Sequence, residues 1–210
     1  MSELEIKALS CVRDDRLLIS DLSITVKAGQ MLHIEGKNGS GKTSLLRILT
    51  GLSRAESGEV LWQGESIESL SGEYYEQVNY IGHHDGIKRD LTCLENLRMA
   101  QAIGKPKDID LDDALKAVNL YAFGENQAAT LSAGQKRRLA LARLVVTEAP
   151  FWIMDEPFTS LDTASIHLFE QLFLSHLDSG GLIAMTSHHA LALKDQADLI
   201  RLNLSDRLAK

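Results

Sequence analysis

The segment from residue 36 to residue 43, G-K-N-G-S-G-K-T, constrains the fold of this chain more than any other feature. It fits the pattern G-x-x-x-x-G-K-S/T, in which a glycine-rich loop joins a strand to a helix. The flanking sequence has that context, because residues 31–34 read as a short, largely apolar strand and residues 44–49 as a helical run. The segment therefore predicts a strand, a phosphate-binding loop and a helix in succession.

The residue types within this loop match the chemistry of a nucleoside triphosphate bound with Mg²⁺. Gly36, Gly39 and Gly41 lack a Cβ, so the backbone can turn tightly and point N–H groups at phosphate oxygens. We expect Lys42 to reach the β- and γ-phosphates and Thr43 to offer its hydroxyl to Mg²⁺. An ordinary glycine-rich turn would need neither the Lys-Thr pair nor this spacing. The predicted nucleotide contacts of the loop are Gly36, Lys37, Asn38, Gly39, Ser40, Gly41, Lys42, Thr43 and Ser44.

A second apolar segment carries the candidate carboxylates. Residues 151–156 read F-W-I-M-D-E and are followed by Pro157, which predicts a buried parallel strand that delivers two acids at the carboxyl edge of a sheet. We expect Asp155 to hold Mg²⁺ through its water shell, and Glu156 to orient and deprotonate the attacking water. A solvated loop entry is the alternative, but so apolar a run would then leave the carboxylates unpaired without a cation.

The third motif, residues 131–135 (L-S-A-G-Q), opens a strongly helix-forming segment. Ser132 is a good N-cap residue, so the motif is predicted to lie at a helix N-terminus that faces an anion. A capped amphipathic helix without any ligand is the commoner explanation of such a segment alone. The order and spacing of the other two motifs argue against that alternative.

In this order, the three motifs resemble those of the ATP-binding-cassette (ABC) ATPases. In that family, the third motif of one subunit covers the γ-phosphate held by the phosphate-binding loop of a second copy. The resemblance therefore implies bound ATP and Mg²⁺, trans contacts from the third motif, a dimer-communicating segment at residues 160–162 and a histidine on the γ-phosphate. The positions carried over for the trans contacts and the histidine are Ser132, Gly134, Gln135 and His188, and the predicted catalytic residues are Glu156 and His188.

Length and charge limit the class of protein. The 210 residues allow one α/β domain, and the longest apolar runs fall far short of the ~18–20 residues of a spanning helix. The N-terminus lacks the features of a secretion signal, so we expect a cytosolic chain. The formal net charge of -7 argues against nucleic acid as the main partner. The basic residues 136–138 are interpreted as the solvated or nucleotide-facing side of a helix.

Periodicity along the chain predicts an α/β fold of the ABC P-loop type, with a mostly parallel sheet flanked by helices. Antiparallel strands are expected at the N-terminus, and alternating strands and helices from residue 136 to residue 186. Residues 57–64 read as turn, strand and turn, and residues 77–82 as a further strand. Residues 90–126 carry helical periodicity, interrupted by a polar linker at 104–108.

The expected organisation is a single ABC ATPase domain over residues 1–210. Residues 1–84 and 150–210 are assigned to the catalytic core, which includes the N-terminal β subdomain. Residues 85–149 are assigned to an inserted helical subdomain that carries the third motif.

Two positions depart from the general ABC pattern. Where the family ends a strand near residue 80 with a nucleotide-sensing glutamine, this chain has His83 and His84. One of the two histidines takes the role or the role is lost, and His83 is included among the predicted nucleotide contacts. No aromatic residue stands at the N-terminal position that usually stacks on adenine. Either Arg13 or Arg16 stacks by its guanidinium plane, or adenine is held weakly.

The stretches 80–88 and 91–97, together with 61–64 and 131–144, resemble the ATP-binding subunits of the bacterial haem exporters of cytochrome c biogenesis. This resemblance covers essentially the whole chain. It implies a peripheral subunit on the cytoplasmic face of the inner membrane, paired with an integral membrane permease and with a second copy of itself.

Other functions remain open at the level of sequence. A soluble ABC ATPase that acts as an assembly scaffold would carry the same motifs, and so would an ABC subunit for another substrate. Fractionation distinguishes the scaffold, because a transporter subunit follows its membrane partner. A small-molecule P-loop kinase is a poor alternative, since residues 131–135 would then have no role.

Overall fold

The structure, a computed structural model, describes residues 2–189, 191 and 197–207. The strands in these residues are β1 (Glu3–Arg13), β2 (Arg16–Lys27), β3 (Gln30–Glu35), β4 (Ser57–Trp62), β5 (Glu65–Ser66), β6 (Val78–Ile81), β7 (Lys105–Pro106), β8 (Thr147–Glu148), β9 (Phe151–Asp155), β10 (Leu182–Thr186) and β11 (Asp198–Asn203). The α-helices are α1 (Lys42–Leu49), α2 (Ile67–Leu70), α3 (Gly72–Glu76), α4 (Cys93–Ile103), α5 (Leu111–Ala117), α6 (Ala133–Val146) and α7 (Thr163–Asp178).

The central sheet has five parallel strands in the order β11-β3-β10-β9-β6. Its inner strands are short apolar runs because both faces of the sheet are covered, and every residue of β9 and β10 is buried. The register pairs Thr186 of β10 with Ile34 of β3 on one side and with Asp155 of β9 on the other. The carboxyl ends of these three strands therefore meet, and the predicted mostly parallel α/β fold is confirmed.

The two faces of the central sheet belong to two different hydrophobic clusters. Phe151 and Ile153 of β9 pack with α1 and the N-terminal strands, whereas Trp152 and Met154 pack with helices α4 to α7. Successive strand residues point to opposite faces, so one apolar strand serves both clusters. Because burial of each large apolar side chain is worth about 1.5–3 kcal/mol, the clusters fix both layers to the strand that ends in the candidate carboxylates.

The N-terminal strands form the expected antiparallel sheet, in the order β2-β1-β4-β5. The prediction of a turn at residues 57 and 58 was wrong, because both residues belong to β4. Gly58 has a φ of +81°, and a Cβ there would collide with the carbonyl oxygens of Lys7 and Ala8. The glycine thus marks an irregularity inside the β1–β4 pairing, between Lys7 and Ser10, rather than the end of the strand.

Helices α4, α5 and α6 pack together beyond β6, as the periodicity of residues 90–126 predicts. Thr92 caps α4 by a reciprocal capping box with Glu95. The interpretation of residues 104–108 as a plain linker was incomplete, because β7 within it pairs with β8 at the end of α6. In the described part of the chain, no helix combines the length and hydropathy needed to cross a bilayer.

At the C-terminal end of α7, the rings of His176 and Trp152 stack with centroids 3.7 Å apart and planes inclined by 6°. The imidazole covers Gly181, where any Cβ would collide with it. Burial lowers the pKa of His176 from 6.5 to about 4. The folded state therefore favours the neutral ring. The contribution of this ring to stability is complete above about pH 6.5 and is lost as the pH falls towards 4.

We expect the variant His176→Phe, which keeps an aromatic ring on Trp152 but cannot titrate, to lose part of the acid sensitivity of the protein. A group with this shift costs about 1.4 kcal/mol of unfolding free energy for each pH unit below 6.5. The difference in unfolding free energy between pH 7 and pH 5 should thus be about 2 kcal/mol smaller in the variant. Urea titrations at the two pH values measure this, and equal differences in both proteins would contradict the assignment.

Candidate functional site

A cleft of about 710 Å³ lies at the carboxyl edge of the central sheet, where the loop after β3 faces the ends of β9 and β10. It combines residues from all of these segments with residues of the turn between β1 and β2. The lining residues are Arg13, Asp14, Arg16, Leu18, Asn38, Gly39, Gly41, Lys42, Thr43, Ser44, His83, Asp155, Glu156, Thr159 and His188. Most of the predicted phosphate-loop contacts and both predicted catalytic residues thus meet in one place.

The loop ends at the N-terminus of α1. Gly41 is the N-cap residue, with a φ of +96° that favours glycine, and no side chain caps this helix. The first N–H groups of α1 are thereby left for an anion, beside the positive end of the helix dipole. The ammonium of Lys42 donates to Gly36 O at 2.7 Å and to Lys37 O at 3.3 Å, which holds its charge over the same loop.

Three predicted loop contacts do not line this cleft. Gly36 lines a neighbouring cavity, and a Cβ on it would approach Ser40 Oγ closely. The backbone N–H of Lys37 donates to Ser205 Oγ at 3.0 Å, so that the amide is bound to the C-terminal segment. Ser40 is buried, and its hydroxyl has no hydrogen-bond partner in the described residues.

Asp155 is held between two threonine hydroxyls. Thr43 Oγ1 donates to its Oδ2 at 2.8 Å, and Thr186 Oγ1 donates to its Oδ1 at 2.7 Å. The Thr186 hydroxyl in turn accepts from the backbone N–H of Glu156 at 2.9 Å. A hydroxyl and a carboxylate side by side are hard oxygen donors, which is the set that Mg²⁺ prefers. Thr43 and Asp155 therefore fit the predicted metal position.

Glu156 and His188 form the second pair in the cleft. The Nε2 of His188 lies 3.5 Å from Glu156 Oε1, and the backbone N–H of His188 donates to Oε2 at 3.2 Å. Glu156 Oε1 is buried and makes no hydrogen bond in the described residues. The Glu156 backbone has a φ of +50°, an unfavourable value for a residue with a side chain. The Glu156 carboxylate thus lines the cleft beside an imidazole, and its buried Oε1 keeps an unused acceptor site.

The third motif lies outside the cleft, at the N-terminus of α6. Ser132 caps the helix as predicted, because its Oγ accepts from Gln135 N at 3.2 Å while its own N–H donates to Gln135 Oε1 at 2.8 Å. A Cβ on Gly134 would lie 2.7 Å from Ser160 O, so only glycine allows α6 to approach the segment 160–162 this closely. In this chain, Ser132, Gly134 and Gln135 are not among the residues that line the cleft.

The structure separates the two histidines that the sequence left equivalent. His83 lines the cleft, whereas His84 is not among its lining residues, and the two rings meet edge to face at 5.6 Å. Arg13 and Arg16 both line the cleft as well. Both stacking candidates for adenine remain in place.

Sequence reasoning missed two residues that organise the site. Thr186 was read only as part of a strand, although its hydroxyl joins Asp155 to Glu156. Arg137 was assigned to a solvated or nucleotide-facing basic cluster, which is wrong, because it is only 3% exposed and points into the protein. The two neighbouring basic residues make different contacts, because Lys136 donates to Ala129 O and Arg138 donates to Asn119 O. The one signal for the burial of Arg137 was its position, as a charged residue in the second turn of a helix face that is otherwise mostly apolar.

The fold and the cleft together define a P-loop nucleotide-binding protein, and comparison with known proteins identifies its family. The ABC transporter family matches residues 19–159. A solved structure described as an ABC transporter ATP-binding protein from Pyrococcus furiosus superposes with a TM-score of 0.84 at 23% identity, covering 99% of this chain and 100% of that chain. A second solved structure, an ATP-binding subunit of an ABC transporter, also gives 0.84, at 24% identity over 96% of this chain and 86% of that chain.

Curated relatives are more similar. The chain is 49% identical to the cytochrome c biogenesis ATP-binding export protein CcmA of Methylococcus capsulatus, over 95% of this chain and 96% of that protein. It is 43% identical to the protein of the same name from Vibrio cholerae, over 97% and 99% respectively. The chain belongs to the ABC transporter family of ATP-binding proteins and, within it, to the CcmA family. It is therefore an ATP-binding ABC ATPase.

Proposed function

We propose that this chain is the ATP-hydrolysing subunit of a bacterial inner-membrane exporter that serves haem delivery in c-type cytochrome biogenesis. One observation carries the ATPase part: Thr43, Asp155, Glu156 and His188 converge on a single cleft at the N-terminus of α1. The export part is supported by the relatives, whose names describe ATP-binding export proteins of cytochrome c biogenesis.

The phosphate-binding loop holds the triphosphate of ATP in this proposal. Backbone N–H groups of the loop residues that line the cleft, Asn38, Gly39 and Gly41 to Ser44, face the phosphate oxygens, and Lys42 turns from the loop carbonyls to the β- and γ-phosphates. Thr43 and Asp155 hold Mg²⁺, which neutralises charge on the phosphates when it is bound. Arg13 or Arg16 stacks on the adenine ring, because both lie in the same cleft.

Glu156 is the proposed general base. Its carboxylate lines the cleft and its side chain is 17% exposed, so it can accept a hydrogen bond from a water molecule placed in line with the γ-phosphate. His188 lies 3.5 Å from that oxygen and is the proposed γ-phosphate ligand. Phosphoryl transfer requires mainly positioning and charge neutralisation, and these two residues with Lys42 supply both.

A second copy of the chain completes the site. Ser132, Gly134 and Gln135 lie at the exposed start of α6, away from the cleft of their own chain. The Gly134 N–H and the Ser132 hydroxyl can therefore meet a phosphate only on another molecule. The capping box fixes the first turn of α6 in advance of such contact. We therefore infer an ATP-dependent dimer with two-fold symmetry.

The membrane partner is proposed to dock in a groove of about 600 Å³ between β6, α4 and α6. Three of the large apolar side chains that are exposed in this chain, Leu52, Tyr75 and Ile103, all line this groove. Clustered exposed apolar residues mark an interaction site. A cytoplasmic segment of the integral membrane permease would cover them and would hold the chain at the inner face of the membrane.

The same arrangement supports the proposed division of the chain. Residues 1–84 and 150–210 form the catalytic core with its N-terminal β subdomain, and residues 85–149 form the helical subdomain. His83 lies at the boundary between the two, next to the cleft. It is thus placed to report the state of the nucleotide to the groove.

We expect the double variant His83→Ala/His84→Ala to bind ATP almost normally and to keep most basal hydrolysis, yet to impair c-type cytochrome maturation in cells. The phosphate loop and both carboxylates are untouched by this change, whereas the proposed coupling residue is removed. Complementation of a deletion strain, read by covalent haem staining of c-type cytochromes, measures the effect. The single variants serve as a matched pair, and His83→Ala should account for most of the loss because only His83 lines the cleft.

Two outcomes would overturn these assignments separately. Full complementation by the double variant means that the histidines are ordinary loop residues. Normal c-type cytochromes in the deletion strain itself would remove the haem-export proposal and leave the ATPase alone.

A further inference from the structure

Arg137 occupies the second turn of α6 and is almost completely buried, at 3% exposure. A guanidinium carries five N–H donors, and all five find acceptors here. Its hydrogen bonds run from Nε to Pro157 O (2.9 Å), from Nη1 to Gly82 O (3.0 Å) and Asp85 Oδ1 (3.2 Å), and from Nη2 to Asp155 O (3.0 Å) and Glu156 O (2.8 Å). Burial lowers the pKa of Arg137, but a guanidinium stays charged at neutral pH.

The acceptors belong to the two segments that carry candidate functional residues. Three of them are the consecutive carbonyls of residues 155–157, at the carboxyl end of β9. The other two, on Gly82 and Asp85, flank the pair His83–His84. One side chain on α6 thus holds the chain at the ends of two neighbouring strands, β6 and β9.

Glu156 needs such support because its backbone is strained. A positive φ on a residue with a side chain costs about 1–3 kcal/mol and persists only where the surroundings enforce it. The Glu156 carbonyl and those of its two neighbours are held by Arg137, and its N–H is held by Thr186. Without the guanidinium, the peptide groups around Glu156 can relax, and the carboxylate then turns away from its position.

Helix α6 also contacts the far end of the same segment. Gly134, one turn before Arg137, packs against the carbonyl of Ser160 so closely that no Cβ would fit. The helix therefore contacts the segment from residue 156 to residue 160 at both of its ends. A shift of the N-terminus of α6 would thus act on the segment that carries Glu156.

We propose that Arg137 is a positioning residue that sets the Glu156 carboxylate and the His83 segment, and so makes hydrolysis depend on the position of α6. This rests on the proposed role of Glu156 as the general base. In the dimer, contact of Ser132 and Gly134 with the partner's nucleotide fixes α6, and Arg137 carries that constraint to the base in its own cleft.

The test is the variant Arg137→Lys, with Arg138→Lys as its matched control. Lysine keeps the charge but cannot bridge three carbonyls and the Gly82 segment at once. We expect kcat to fall by about 10- to 100-fold, because a misplacement of about 1 Å can cost that much. The KM for ATP should change by less than about threefold, since the phosphate loop is intact. Arg138 donates to the carbonyls of Val118 and Asn119 instead, and its variant should keep a normal kcat.

A purely structural role predicts a different pattern, in which Arg137→Lys lowers the melting temperature while the kcat per folded molecule is unchanged. That result would overturn the proposal, as would equal losses in the two lysine variants. Thermal melting and binding of a fluorescent ATP analogue, measured on the same preparations, separate these cases.

A double-mutant cycle with Glu156→Gln asks whether Arg137 acts through the base. If it does, Arg137→Lys lowers single-turnover hydrolysis by less than about threefold in the Glu156→Gln background, because the group that it positions is already lost. If the two substitutions lowered hydrolysis additively, the positioning role of Arg137 would be refuted while the general base would not. Normal turnover of the single variant Glu156→Gln would instead refute the general base on which the proposed function rests.

Discussion

Replacing Glu156 by glutamine is expected to lower ATP turnover by about 100-fold or more while ATP binding is retained. Glutamine has the same shape and can keep the hydrogen bond from the backbone N–H of His188. It cannot accept a proton, however, so a water molecule bound in the cleft beside residue 156 loses its base. Steady-state phosphate release measures turnover, and titration with a fluorescent ATP analogue measures binding.

The same variant tests the dimer. With hydrolysis blocked, Mg-ATP should hold two chains together through Ser132 and Gly134, whereas the protein without nucleotide should sediment as a monomer. Glu125→Gln makes the same chemical change at an exposed residue of the helical region and should turn over normally. Near-normal hydrolysis by Glu156→Gln would refute the assignment of the base, and a monomer in both conditions would refute the shared site.

The local motifs could be predicted from the sequence because the geometry of each is determined by residues only a few positions apart. The loop from Gly36 to Thr43 needs glycine at positions of positive φ, and Ser132 caps the helix that follows it by a bond to Gln135 three residues on. A short apolar run that ends in Asp155 and Glu156 favours a strand covered on both faces. In such cases, residue type and short-range sterics determine the structure together.

Arg137 could not be placed in this way. Three basic residues in a row on a helix look alike, and which of them is buried depends on the direction in which α6 faces β9 and the Gly82 segment. The choice between His83 and His84 has the same origin, since it depends on how the loop after β6 is held by Arg137. The pairing of β7 with β8 joins residues about 40 positions apart, and no local periodicity encodes it.

Backbone strain also occurs where tertiary contacts, rather than local propensity, fix the conformation. Glu156 and Ser160 both have positive φ values, at +50° and +65°, and both lie in the segment that α6 contacts. Local propensity argues against these conformations, so they cannot be predicted from the sequence. At these two positions, the conflict between local preference and observed backbone lies in the segment to which catalysis is assigned.

Replacing Lys42 by alanine is expected to act on binding rather than on the chemical step. Its ammonium lies within 2.7 Å of Gly36 O and 3.3 Å of Lys37 O, so the charge is held over the loop that receives the phosphates. Charge-assisted hydrogen bonds of this kind are worth about 1.5–3 kcal/mol, which corresponds to a loss of roughly 10- to 150-fold in ATP affinity. The analogue titration used for Glu156→Gln measures it directly.

Lys27→Ala is the control for the general effect of removing one positive charge, because it removes an exposed lysine at the end of β2. It should leave the affinity unchanged at the same ionic strength. Lys42→Ala and Glu156→Gln then separate two functions of one cleft, because the first should weaken binding and the second should preserve it. If Lys42→Ala bound ATP as tightly as the unmodified chain, the loop after β3 would not be the phosphate site, and the assignments of Thr43 and Asp155 to Mg²⁺ would fail with it.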